Sequence, residues 1–235
     1  MPERQPDIKS IFSALNTEQK AVLYSHAAEL FSDNKRALFD RLAPLRTRHI
    51  SVVLEDIYQS HNAAAVLRSC DCFGVQDVHV VEANNPFNPA GDVAVGSSKW
   101  IDYYPYHDTP SAYHRLRDKG YRIVATTPHT NDTLITDLDI SQPIALVFGT
   151  ELTGLSPQAI DLADSYVKIP MYGFTESFNI SVCAALSLFS LTSRLRTSHI
   201  PWQLPPEQIL DLKIHWCAQA IRDGESVLQN LIKTL

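Results

Sequence analysis

The chain has 235 residues, 45% of them hydrophobic and 20% charged, with a formal net charge of −6. This balance excludes wholesale disorder and allows a sizeable core. No apolar run reaches the roughly 20 residues of a bilayer span, and the polar start Met1-Pro2-Glu3-Arg4-Gln5-Pro6 lacks the apolar stretch of a secretory signal, so a cytoplasmic protein without a membrane partner is expected.

Along the chain, Thr17 to Phe39 carries a helical pattern through Val22, Leu23, Ala27, Leu30 and Phe31, with Asn16 or Thr17 as cap. Ser32-Asp33-Asn34 divides it into two helices, and Pro44 closes the region. The segment Lys35 to His49 holds Lys35, Arg36, Arg41, Arg46 and Arg48 against Asp40 alone, either a basic patch or a solvated helix face. From His49 the rhythm changes. Strands are predicted at Ile50–Leu54, Val78–Val81, Tyr121–Ala125, Ile144–Phe148 and Tyr166–Ile169. Helices are predicted at Asn62–Phe73 and Ser111–Lys119, after Ser156-Pro157, and at Asn179–Arg196, the last apolar on nearly every side. This alternation predicts an α/β domain with a mostly parallel sheet over residues 48–197, between helical extensions at 1–47 and 198–235. Pro201, Pro205 and Pro206 mark the second boundary.

In such a sheet, ligands gather beyond the carboxyl ends of the strands. Thr126 and Thr127 follow one strand there, and Gly149-Thr150-Glu151-Leu152-Thr153-Gly154 follows another. Pro170 to Asn179 follows a third. The Gly149/Gly154 loop is neither GxGxxG nor a P-loop, because it lacks a third glycine and a Gly-Lys-Ser/Thr ending. Its glycines suit either a close backbone approach to a ligand or an ordinary turn. Asn62 and Asn179 each suit a helix cap as well as a site. Cys70, Cys72, Cys183 and Cys217 form no CxxC, and neither they nor the nine histidines show metal-ligand spacing, so reduced thiols and no metal are expected.

Together these segments resemble the SPOUT superfamily of methyltransferases, in its TrmH (SpoU) branch. The carriers are Asn62 to Ser69 followed by Phe73-Gly74-Val75, Leu146 to Ser156, and Lys168-Ile169-Pro170-Met171 through Ser177-Phe178-Asn179-Ile180-Ser181-Val182. Gly96-Ser97-Ser98-Lys99-Trp100 adds a fourth. The resemblance spans residues 45–197. It implies methylation of an RNA ribose 2'-hydroxyl with S-adenosylmethionine as donor. It also implies a C-terminal deep trefoil knot and a homodimer with its site near the interface.

By the same resemblance Arg68 is the catalytic residue, with Asn62, Ser177, Asn179 and Glu151 positioning it and the ribose. Because a guanidinium holds its proton to a pKa above about 12, Arg68 is read as stabilising the developing alkoxide or orienting a phosphate rather than as the base. Thr126, Gly149, Ile169, Met171 and Phe178 are assigned to the cofactor pocket. Lys99, Trp100, Arg41, Arg46 and Arg48 are assigned to RNA. Met171-Tyr172-Gly173 favours the enzymes acting on the D-loop guanosine 18 of tRNA, although Glu176 and Phe178 stand where those commonly carry Gln and Leu. A ribosomal RNA enzyme, or a catalytically idle RNA-binding homologue, is the alternative.

Overall fold

The computed structural model describes residues 14–84, 96–128, 132–150 and 152–235. It divides into two compact units. One joins the described part of Met1–Arg46 to Gln203–Leu235, and the other runs from Thr47 to Trp202.

The first unit is helical. Helix α1 (Thr17–Ala28) opens with a full capping box, in which the Asn16 side chain accepts from the Gln19 amide and the Gln19 side chain accepts from the Asn16 amide. Helix α2 (Asp33–Leu42) begins at Ser32, which caps it and ends the preceding turn. The C-terminal helices are α7 (Pro206–Ala220) and α8 (Gly224–Ile232). Leu23, Ala27, Phe39, Leu212, Trp216 and Leu228 are buried in this unit, with Phe39 and Trp216 rings 5.5 Å apart. Lys20–Asp211 at 2.8 Å and Lys213–Asp40 at 2.7 Å tie the N-terminal helices to α7. The two extensions, far apart in sequence, thus share one core.

The second unit is an α/β sandwich whose seven strands all pair in parallel, in the order β3-β2-β1-β6-β4-β7-β5. They are β1 (Ile50–Glu55), β2 (Asp77–Val81), β3 (Asp102–Tyr106), β4 (Arg122–Thr126), β5 (Thr133–Leu134), β6 (Ile144–Phe148) and β7 (Ser165–Lys168). The central strands β1 and β6 are buried at every position, as both-sided cover demands, and read as continuous apolar runs. Side chains alternate between two cores. Val52, Leu54, Leu146 and Phe148 meet α3 (Ser60–Phe73) and α6 (Ile180–Arg196) on one face. Val53, Ala145 and Val147 meet α4 (Thr109–Asp118) and α5 (Pro157–Asp161) on the other. Gly74, at φ +75°, ends α3 in the left-handed conformation that glycine adopts without strain.

The predicted strands and helices form, with ends shifted by up to three residues. Two strands, β3 and β5, were not expected. β3 reads Asp-Tyr-Tyr-Pro-Tyr, and Pro105 is tolerated there because β3 is an edge. β5 has only two residues. Among the described residues, no helix is long and apolar enough to cross a membrane, and no group of three or more His, Cys, Asp or Glu could hold a metal ion.

Candidate active site

The strand order reverses between β1 and β6, since the chain moves outward through β2 and β3 on one side and builds β4, β7 and β5 on the other. The crevice such a reversal leaves at the carboxyl ends is where an open α/β sheet takes its ligand. A cleft of about 460 Å³ lies at these carboxyl ends, on the β4 side of the reversal, walled by the ends of β4, β6 and β7, their following loops and the first two turns of α6. That volume suits a nucleoside-sized cofactor.

Thr126, Gly149, Ile169, Met171 and Phe178, the residues assigned to the cofactor from sequence, all line this cleft. Thr126 donates its hydroxyl to the Val147 carbonyl at 2.7 Å, which fixes the β4 end to β6. Gly149 opens a closed loop in which the amides and carbonyls of Thr150 and Gly154 exchange hydrogen bonds at 3.0 and 3.1 Å. A Cβ at Gly149 would lie 2.2 Å from the Gly154 carbonyl oxygen, so no other residue fits there. The loop then enters α5 at Ser156, whose amide and hydroxyl both donate to Glu55, at 2.9 and 2.7 Å. Glu55 is buried and also accepts from Thr109 at 2.6 Å, so the carboxylate ending β1 is a clamp for the wall.

Other wall residues carry no assignment from sequence. Thr127, Lys168, Cys183 and Ser187 also line the cleft. Cys183 and Ser187 are one helical turn apart on α6, and small polar residues at that spacing in an apolar helix are the available clue. Burial pushes the Cys183 thiol up to about 11, against a smaller opposing effect of Ser187, so it forms neutral wall rather than a nucleophile.

The assigned catalytic residues divide into four groups. Ser177 lies in the cleft wall. Asn62 and Asn179 meet directly: the Asn179 amide donates to the Asn62 side-chain oxygen at 3.2 Å across 117 residues of sequence. Asn179 is also the cap of α6, accepting from the Ser181 amide at 2.8 Å, so cap and site roles coincide. Asn62 is buried and donates to the Gln59 side chain at 3.0 Å, but the cap of α3 is Gln59 itself. Arg68, on α3, is exposed, lies outside the cleft wall and makes no hydrogen bond or ion pair with any described residue. Glu151 lies outside the described residues.

The RNA-side assignments are scattered. Arg41 is exposed near the end of α2. Arg46 is buried, with its guanidinium 5.6 Å from the centre of the Trp216 ring. Arg48 pairs with Asp77 at 3.0 Å and Asp102 at 2.8 Å. Burial works to lower its pKa, but the two carboxylates prevail and raise it. Arg46 and Arg48 thus each meet groups of their own chain, a ring in one case and two carboxylates in the other. Lys99 and Trp100 lie on a short 3-10 turn directly before β3, with the Trp100 carbonyl accepting from Gln76 at 3.1 Å. Arg48, Lys99 and Trp100 therefore stand at the amino ends of parallel strands, opposite the cleft.

Comparison with known proteins agrees with this geometry. The model of the SpoU rRNA Methylase family matches residues 49–189. A tRNA (guanosine(18)-2'-O)-methyltransferase of Borreliella burgdorferi is 41% identical over 207 residues, covering 88% of this chain and 94% of that protein. One of the same name from Thermus thermophilus is 32% identical over 158 residues, or 67% of this chain and 81% of that protein. Among solved structures, the A. aeolicus TrmH/SpoU tRNA modifying enzyme superposes with a TM-score of 0.69 at 26% identity, over 80% of this chain and 98% of that one. A match over more than half its length, with the cleft at the expected strand ends, places this chain in the SpoU methylase family of RNA methyltransferases.

Proposed function

We propose that the chain transfers the methyl group of S-adenosylmethionine to the ribose 2'-hydroxyl of guanosine 18 in tRNA. The observation that carries the reading is the single cleft into which Thr126, Gly149, Ile169, Met171 and Phe178 all converge. Its size and mixed lining fit the donor, with Ile135, Phe148 and Leu155 supplying apolar wall beside the Thr126 and Ser177 hydroxyls. Met171-Tyr172-Gly173 and the names of the relatives favour tRNA over ribosomal RNA.

The donor supplies an activated methyl on a good leaving group. The protein's part is alignment and charge. The Asn62–Asn179 bond sets the start of α6, and with it Ser177 and Phe178, against α3. Arg68 on α3 carries a charge that no described residue neutralises, which suits it to the oxygen that loses its proton or to the adjacent phosphate.

Homodimerisation belongs to the same reading. Val182, Leu186 and Phe189 recur at helical spacing on α6 and remain exposed, as an apolar stripe awaiting a second copy would. Arg68 lies outside its own chain's cleft wall, which favours a site completed between two copies. The knot is part of the proposal too. β7 pairs with both β4 and β5, so the chain returns between two strands whose connection it must pass.

Labelled-methyl transfer to tRNA and ribosomal RNA transcripts, with mapping of the modified nucleotide, tests the reading. Methylation at guanosine 18 of tRNA is expected. Transfer confined to ribosomal RNA would overturn the substrate, and transfer to neither RNA would overturn the reaction.

A further inference from the structure

The loop between β7 and α6 dips into the cleft at Met171 and again at Glu176, Ser177 and Phe178. Between these contacts it lifts two aromatic rings away from the protein. Tyr172 is 95% exposed, and Phe174 is fully exposed, on either side of Gly173. A third ring, Tyr58 at 76% exposed, stands in the β1–α3 connection, four residues before Asn62. The Asn62–Asn179 hydrogen bond draws the ends of these two connections together, so all three rings belong to loops that converge on the catalytic residues. Neither loop contributes these rings to a core.

We infer that Tyr172 and Phe174, with Tyr58 on the facing connection, form a stacking rim for nucleobases of the RNA loop next to the methylated nucleotide. This rests on the RNA 2'-O-methylation reading and adds to it the means of holding the acceptor. A ribose within a folded RNA loop reaches the floor of a cleft only when its neighbours are unstacked, and an exposed aromatic face replaces the lost stacking. The composition of the rim fits bases better than phosphates. Residues 169–180 contain no Lys or Arg and one carboxylate, Glu176, so the segment offers flat apolar faces and no cationic groups. The chain's acidic net charge points the same way, since affinity that does not come from phosphate neutralisation must come from the bases.

The test is equilibrium binding of a dye-labelled tRNA transcript to the full chain held with S-adenosylhomocysteine. Wild type is compared with Tyr172→Ala, Phe174→Ala and the double variant, and with the ring-preserving Tyr172→Phe and Phe174→Tyr. Each alanine is expected to weaken RNA binding by about five-fold or more, and the double by more than either, whereas the ring-preserving variants stay near wild type. Calorimetric affinity for the cofactor and the sedimentation behaviour stay unchanged. RNA affinity that survives the double variant overturns the inference. So does a loss confined to cofactor affinity, which would make the rings a cofactor lid, or to dimer stability, which would make them an interface between copies. Wild-type protein that neither binds nor methylates RNA overturns the functional reading itself, an outcome separate from all of these.

Discussion

The two ends of the parallel sheet handle charge in opposite ways. At the amino ends, Arg48 is enclosed by Asp77 and Asp102, the first residues of β2 and β3, and its single charge bridges the two carboxylates across neighbouring strands. At the carboxyl ends, aromatic rings face water and the wall is a glycine-bounded loop held by main-chain bonds, while Arg68, in the second half of α3, keeps an open guanidinium. One end spends its polar groups on holding strands in register. The other leaves them available, and Glu55 shows that even there a carboxylate is satisfied when its task is to brace the wall. Unpartnered groups therefore mark the working end more sharply than charge does.

The largest expected effect comes from removing the open charge. Arg68→Ala is expected to lower methyl transfer by roughly 100- to 1000-fold with an unchanged thermal midpoint. A Lys substitution with wild-type rates and a shifted pH limb would instead favour a base role for Arg68. Arg48→Ala should do the reverse, costing about 3 kcal/mol in denaturant unfolding because it leaves two buried carboxylates without their cation. Transfer per folded molecule should stay intact. Equal damage to stability and rate in either variant would erase the distinction between the two ends.

A third prediction concerns pH. His79, on β2, is buried between Tyr104 and Tyr106 and hydrogen-bonds the Tyr106 hydroxyl at 2.9 Å. Burial first, and the Lys119 charge second, pull its pKa down to about 3. Because the folded value lies below the unfolded one of about 6.5, the unfolded chain takes up the proton first. The contribution of His79 is therefore complete above pH 6.5 and fades as the pH falls toward 3. At pH 5 the loss is about 2 kcal/mol. Replacing it in His79→Phe should flatten the unfolding profile between pH 7 and 5, and an unaltered slope would contradict the assignment. The smallest effect is expected at Glu176, an exposed carboxylate in the cleft wall. Glu176→Gln should reduce the preference for the cationic donor over its neutral product by roughly two- to five-fold in calorimetry.

Much of this was legible before the structure. Ile50–Leu54 and Ile144–Phe148 are continuous apolar runs of strand length, and buried parallel strands have that composition. The cleft residues could be located because the motifs end at strand termini, where topology gathers them. The surroundings of the RNA-side residues were hidden from the sequence for a physical reason. Sequence records the sign of Arg46, Arg48 and Lys99 but not which end of a strand they flank or which carboxylate they meet, and Asp77 and Asp102 lie 29 and 54 residues beyond Arg48. The shared core of the N- and C-terminal helices was hidden similarly, since Phe39 and Trp216 give no local sign that they touch. The exposed rings at 172 and 174 were visible only as apolar letters, because exposure is a property of the fold.

The position of β7 also sets a timetable for synthesis. A growing chain that has emerged as far as Phe148 holds the residues of six strands, but the slot between β4 and β5 still awaits residues 165–168. Until these arrive, both flanking strands offer unpaired backbone to any neighbouring chain. The cleft cannot close either, because Met171, Ser177 and Asn179 follow β7 in sequence. The working end is thus completed only after the residues of the other six strands have been made. Chains released early, before Ser165, are expected to aggregate through that slot rather than survive as partly active enzyme.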